Sequence, residues 1–365
     1  MHVLSSRRRR TLGGILAVAL TALGAQPLDA AGATRARTAK AGAATQRTPA
    51  PVARTAARKP VAAAAATAKP RTSSAARRRA IARTRAAARA REARELNTPR
   101  FKLDDSGREV PAPRAAAAII YDPETNEVLF EEHALEPRSI ASITKVMTAV
   151  VFLESLIDPA EVVKVERADV ARASTTYLRA GYSVSVDELL HLLLIGSDNA
   201  AARVLARVSP YGSDGFIVRM NEKARELGLE QTHYEDPSGL FAGNVSTAYE
   251  MARLISYAVA DERIGSVMRK AGFDFTPIKR NVHVNSTNRF VRSGELDVVG
   301  GKTGFISSSG YCLATLVRLP QSGRQVAMVV LGARSNAARF AETRHLFNWV
   351  NTGAVTAAGP DAGQQ

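Results

Sequence analysis

Ser142-Ile143-Thr144-Lys145 sets a hydroxyl and an amine three positions apart, one turn of a helix, so both side chains fall on one face. A serine hydroxyl attacks a carbonyl only when a base takes its proton. A lysine amine is such a base when it is neutral, and burial or a neighbouring cation lowers its pKa toward that state. A second lysine close by would assist the first. Alone the spacing is weak evidence, because a serine at a helix start also serves as a cap. Two further groupings strengthen it. Ser197-Asp198-Asn199 lies 55 residues after Ser142, and Lys302-Thr303-Gly304 lies 105 residues after Ser197.

Other chemistries lack their residues. Gly301-Lys302-Thr303 resembles the end of a phosphate-binding loop, but that loop needs a glycine at position 296, which is Leu296, and a helix directly after it. The run Gly310-Tyr311-Cys312-Leu313-Ala314-Thr315-Leu316-Val317 reads instead as a strand. The six histidines include no H-x-x-x-H pair, and with one cysteine there is no metal-ligand cluster. No G-x-S-x-G string is present for a Ser-His-Asp hydrolase. His191 reads as a helix-face residue rather than a catalytic one.

The three groupings need elements to hold them. Residues 115–121 and 127–130 read as a hairpin around Pro123-Glu124-Thr125-Asn126. Helical patterns follow at residues 143–156, in two stretches within 187–208, and at 216–227 and 247–258. Strands return at 299–305, 311–319 and 325–332, with a closing helix from about 336 to 350. Strands, many helices, strands and a helix make an antiparallel sheet with a helical insertion rather than a doubly wound parallel sheet.

Ser142/Lys145, then S-x-N, then K-T-G is the ordered signature of penicillin-interacting serine enzymes. The chain resembles that family and, more narrowly, its low-molecular-mass D-alanyl-D-alanine peptidases. Asp236-Pro237-Ser238-Gly239-Leu240, Ser246-Thr247-Ala248, Ser286-Thr287-Asn288 and Gly310-Tyr311-Cys312-Leu313 fit the same branch, and the resemblance covers roughly residues 112–350. It implies an α/β (α+β) fold of β-lactamase/DD-peptidase type, a five-stranded antiparallel sheet flanked by helices with a helical subdomain. It implies Ser142 as the acyl-ester nucleophile, Lys145 as its base and Ser197 as the proton donor to the departing amine. Asn199 would bind substrate backbone and fix Lys145. Lys302 and Thr303 would meet the substrate carboxylate, and Gly304 would let substrate backbone approach. The backbone N–H groups of Ser142 and Phe305 would form the oxyanion hole. The implied partners are peptidoglycan stem peptides and, as covalent inhibitors, β-lactams, with no metal or cofactor.

Within the family, no E-x-x-L-N string after Ser142 supplies the deacylating glutamate of a class A β-lactamase. A D-Ala-D-Ala carboxypeptidase and a DD-endopeptidase that cuts cross-links both remain. Phe305, where carboxypeptidases of this branch often carry histidine, and the end of the chain soon after Trp349 point toward the endopeptidase. A wall-binding domain without catalysis is the third reading, against which the intact Ser142, Lys145, Ser197 and Lys302 argue.

Charge divides the chain. Of the 50 Lys and Arg and 34 Asp and Glu, residues 1–100 hold 22 and 3, a balance of +19 within a total of +16. Arg7–Arg10 followed by the apolar run 11–24 reads as an export signal over residues 1–30, too short for a comfortable membrane span. Residues 31–110 read as a basic Ala/Arg/Pro-rich disordered arm, helical at 75–96 if anywhere and then lying in solvent. The catalytic domain is expected at 111–352, with a disordered tail at 353–365. The arm suits an anionic wall polymer or membrane surface, and also serves as a plain spacer. Nucleic acid is disfavoured, since export removes the chain from it and residues 31–100 hold no aromatic to stack on bases. The expected location is exported, periplasmic or cell-wall associated. Cys312 is the single cysteine, so no internal disulfide forms, and its apolar setting reads as buried.

Overall fold

Residue alternation builds a sheet that is covered on both sides. In β1 (Ala117–Asp122), Ala117, Ile119 and Tyr121 face one core while Ala118 and Ile120 face another. The same split runs through β4 (Gly310–Arg318) and β5 (Gln325–Ala333), whose interiors are apolar on both faces. With β2 (Glu127–Glu132) and β3 (Asp297–Ile306) these strands form one antiparallel sheet in the order β3-β4-β5-β1-β2. The computed structural model describes residues 74–277 and 281–352.

The long connection from β2 to β3 carries the helices. The longer ones are α2 (Thr144–Leu153), α3 (Val186–Leu194), α4 (Asn199–Val208), α5 (Gly212–Glu226) and α6 (Ala248–Ala260). Their boundaries follow local chemistry. Ser185 and Glu188 close a capping box on α3, Asp198 caps α4 by accepting from Ala201 N, and Thr247 caps α6 by accepting from Glu250 N. Helix α2 is buried at every position, so it runs through the first core beneath the sheet. The closing helix α7 (Asn336–Asn351) covers the opposite face, where Phe340, Leu346 and Phe347 join the second core. The five-stranded antiparallel sheet and helical insertion are those expected.

The basic arm departs from expectation at its C-terminal end. Helix α1 (Ser74–Asn97) has no buried residue, and only Leu96, near its end, packs against the second core. Residues 98–110, expected to be disordered, include an antiparallel pairing of Phe101–Leu103 with Glu109–Pro111. Asp104 closes its turn by accepting from Ser106 N and Arg108 N, both at 2.9 Å, and Trp349 Nε1 donates to Glu109 O at 3.3 Å. Composition averaged over a long segment hides such a turn. The readings on residues 1–30, 31–73 and 353–365 lie outside the described residues. Two more elements were not legible as patterns, the helix Glu262–Met268 and the hairpin Gly272–Phe275 with Val282–Asn285. Both are too short to show a period.

Candidate active site

A sharp turn presents Ser142. Residues Ala141–Ile143 form a 3-10 turn that leads into α2, and Ala141 sits at φ 48°, in the left-handed region. Thr144 Oγ1 donates to Ala141 O at 2.7 Å and holds the turn closed. Two glycines allow this turn to be enclosed. A Cβ on Gly239 (φ 78°) would lie 2.0 Å from Ala141 O, and one on Gly304 would lie 2.6 Å from Ile140 O. Gly304 thus has a packing reason beside the expected one of room for substrate backbone: β3 must pass close behind the serine.

Lys145 is fully buried. Its Nζ donates to Ser142 Oγ at 2.9 Å, to Asn199 Oδ1 at 2.6 Å and to Ser238 O at 2.5 Å. Burial lowers its pKa to about 7, against the charges of Asp236 and Asp198, with Arg203 adding to the lowering. Lys302, equally enclosed, donates to Ser197 Oγ at 2.7 Å and to Thr303 O at 2.9 Å. Burial holds its pKa well below the ordinary lysine value, and the charges of Lys145 and Arg339 push the same way. The expected help from one lysine to the other is thus felt at Lys302, while the cation that assists burial at Lys145 is Arg203.

The supports of these residues come from three elements. Ser197 adopts φ 58° between α3 and α4. Asp198 behind it accepts from Tyr177 N at 2.6 Å and Thr176 Oγ1 at 3.0 Å as well as capping α4, and burial pushes its carboxyl pKa up against those hydrogen bonds. Asn199 Nδ2 donates to Ala173 O at 2.7 Å, which fixes the amide so that its oxygen faces Lys145. Thr303 and Thr287 place their hydroxyl oxygens 2.7 Å apart.

Ser142, Ser197, Asn199, Thr303, Gly304 and Phe305 line one cleft of about 560 Å³, with Lys145 and Lys302 bonded to its two serines from behind. All eight residues singled out from the sequence thus meet at one place. A neutral Lys145 keeps two protons, for Asn199 Oδ1 and Ser238 O, and turns its lone pair to Ser142 Oγ, 2.9 Å away, to accept the serine proton; Ser197 can exchange a proton with Lys302. The D-alanyl-D-alanine carboxypeptidase family matches the chain over residues 105–335. This chain belongs to that family. It is accordingly a serine DD-peptidase. It is 33% identical over 245 residues to the D-alanyl-D-alanine endopeptidase of Escherichia coli (strain K12), covering 66% of this chain and 78% of that one. It is 32% identical over 256 residues to the D-alanyl-D-alanine carboxypeptidase DacC of Escherichia coli (strain K12), covering 66% of this chain and 62% of that one. Among solved structures it is similar to the Streptomyces K15 DD-transpeptidase at 27% identity and TM-score 0.62, covering 68% of this chain and 99% of that one.

Sequence reasoning gave no role to several groups at the site of this family member. Ser238 offers its carbonyl to Lys145, and Asp236 holds that loop through Ser238 N at 2.9 Å, Phe241 N at 3.1 Å and Asn244 Nδ2 at 2.6 Å. The Asp-Pro-Ser-Gly-Leu string was the available signal. Arg339 had none, because a lone arginine in the closing helix looks like a surface charge. It is buried, lines the cleft, and donates from Nη1 to Gly304 O at 3.0 Å and Cys312 O at 3.1 Å. Burial lowers its pKa to about 10, and its Nε has no partner. Phe305 is half exposed at the rim and stacks on Tyr311 with ring centroids 4.2 Å apart.

Proposed function

We propose that this enzyme trims the terminal D-alanine from peptidoglycan stem peptides through an acyl-enzyme on Ser142. The observation that carries the reading is Lys145 Nζ, buried, with a pKa near 7 and 2.9 Å from Ser142 Oγ. Lys145 takes the Ser142 proton as Oγ adds to the penultimate carbonyl. The backbone N–H groups of Ser142 and Phe305 stabilise the oxyanion. Collapse breaks the peptide bond, and Ser197, backed by Lys302, passes a proton to the leaving amine. Water then adds to the ester and releases Ser142. Asn199 orients Lys145 and meets substrate backbone. Lys302 and Thr303 receive the substrate carboxylate, whose charge supplies what burial withholds, so Lys302 gains a proton as substrate binds.

A second reading, cleavage of cross-links by the same site, is favoured by two observations. The match spans more of the endopeptidase than of the carboxypeptidase, and the Phe305–Tyr311 pair offers an apolar platform at the cleft rim for a longer leaving group. A substrate in the wall places the working enzyme outside the cytoplasm, exported and periplasmic or wall-associated. No helix among the described residues is long and apolar enough to cross a membrane. We assign the basic arm to anionic wall polymer: α1 carries eight arginines around its whole circumference and no apolar face for a bilayer.

The test is the intact mass of the full chain after benzylpenicillin, beside Ser142→Ala. One adduct on wild type alone supports the nucleophile, and an adduct on both removes it. Free D-alanine from a pentapeptide, or monomers from a cross-linked dimer, then separates the two substrates.

A further inference from the structure

The peptide that joins Gly304 to Phe305 is planar, so its carbonyl and its N–H point in opposite directions. Its carbonyl end is held. Arg339 Nη1, reaching over from α7, donates to Gly304 O at 3.0 Å and to Cys312 O at 3.1 Å. Gly304 and Cys312 are register partners in the ladder between β3 and β4. One nitrogen reaches both oxygens only if both carbonyls point into the gap between the strands, so Gly304 and Cys312 form a hydrogen-bonded pair of the ladder. The next pair, Phe305 with Tyr311, is then of the other kind, with its N–H groups pointing out of the ladder. Strand β3 is at the edge of the sheet, and Phe305 lines the cleft. Phe305 N–H therefore faces the open side, while the guanidinium grips the far end of the same amide.

The position needs such a grip. Gly304 carries no side chain, since a Cβ would lie 2.6 Å from Ile140 O and 3.2 Å from Ser142 N. A glycine leaves the following peptide free to rotate, and no strand pairs with the outer side of β3 to hold Phe305 N–H. Arg339 acts from a fixed place. It is 6% exposed, and its guanidinium carbon lies 5.0 Å from the centre of the Phe340 ring and 5.6 Å from that of Tyr311. A charged donor at the carbonyl also polarises the amide, which makes its N–H a stronger donor.

We infer that Arg339 is a positioning residue for the oxyanion hole: by holding and polarising the Gly304 carbonyl, it aims Phe305 N–H at the place where the oxyanion forms and strengthens the hydrogen bond given there. The inference rests on the reading that Phe305 N–H serves that hole. Arg339 then acts in formation and in hydrolysis of the acyl-enzyme alike, because both pass through an oxyanion.

The experiment forms the benzylpenicillin acyl-enzyme on full-length wild type, Arg339→Lys and Arg339→Met. The ester carbonyl is read in the infrared as the difference between isotope-labelled and unlabelled drug. Thermal melting and adduct stoichiometry confirm that each variant is folded. Hydrogen bonds from the hole lower the carbonyl frequency, so the wild-type band should lie below that of the same ester after denaturation. In Arg339→Met it should move back toward the denatured position, with Arg339→Lys, which keeps the charge, in between. Turnover by Arg339→Met should fall about ten- to a hundredfold, in kcat rather than KM, less than the loss of a whole oxyanion donor. The fall should be equal on an N-acylated D-alanyl-D-alanine peptide and on an N-acylated D-alanyl ester with an uncharged leaving group. Variant bands at the wild-type position would overturn the inference. So would a loss confined to the charged substrate, which would make Arg339 a partner of the substrate carboxylate. Arg339→Lys decides alone if Arg339→Met does not fold. A wild-type band at the denatured position would overturn the oxyanion reading and this inference together, whereas the variant results overturn the inference alone.

Discussion

Replacing Lys145 with methionine removes the buried amine at nearly constant volume and should leave a pH signature in stability. The folded pKa is about 7 and the ordinary value is 10.5. Between those values the unfolded chain binds the proton and the folded chain releases it, so the unfolded state holds more protons and wild-type stability rises with pH. The burial penalty is complete below pH 7 and is gone above about pH 10.5. Integrating from pH 7 to pH 9, wild type should gain about 2 kcal/mol relative to Lys145→Met. The absolute difference at pH 7 is less informative, because methionine leaves Asn199 Oδ1 and Ser238 O without a donor and that cost offsets the relief of burial. Lys302 also loses a charge that depresses it, which lowers the variant's own slope and adds in the same direction. Urea unfolding of both proteins at several pH values measures the difference. Parallel curves would mean that Lys145 is charged in the folded state at neutral pH, and the base reading would fail. Penicillin acylation of the variant should be slower by about two to four orders of magnitude, the usual worth of a positioned base.

Acylation of wild type by a β-lactam should rise about tenfold per pH unit below pH 7 and level off above, as Lys145 loses its proton; stopped-flow rates that stay flat across neutrality would exclude it as the titrating base. Gly304→Ala should destabilise the fold by about 1–3 kcal/mol and slow acylation, because its Cβ meets Ile140 O and crowds Ser142 N; unchanged melting and labelling would show that the turn has slack. Converting the eight α1 arginines to glutamine should leave hydrolysis of soluble peptides within a few-fold and weaken binding to isolated wall most at low salt. Equal wall binding by the two proteins would make α1 a spacer, and a loss confined to anionic vesicles would reassign it to the membrane.

Order and spacing were legible because they are local or cumulative. Ser142 and Lys145 are one turn apart, and a turn is a property of the chain alone. The apolar, β-branched runs of β1, β4 and β5 and the helix starts at Ser185, Asp198 and Thr247 are likewise written in neighbouring residues, which is why the antiparallel sheet with its helical insertion could be expected. The short pairing at Phe101–Leu103 was not, since three-residue strands carry no period and the surrounding charge masks the turn at Asp104.

What the sequence by itself determined was therefore the set of reactive groups and the elements that carry them. Only the tertiary structure decided their protonation and their company. Whether Lys145 is a base depends on being enclosed among Asn199, Ser238 and Ser142, residues up to 96 positions apart, and burial is a property of the assembled core. Arg339 joined the cleft only when folding brought α7 against β3. Gly304 likewise acquired its reason from the packed turn behind it. Chemistry of this kind resides in desolvation and in contacts between distant segments, and neither exists until the chain has closed on itself.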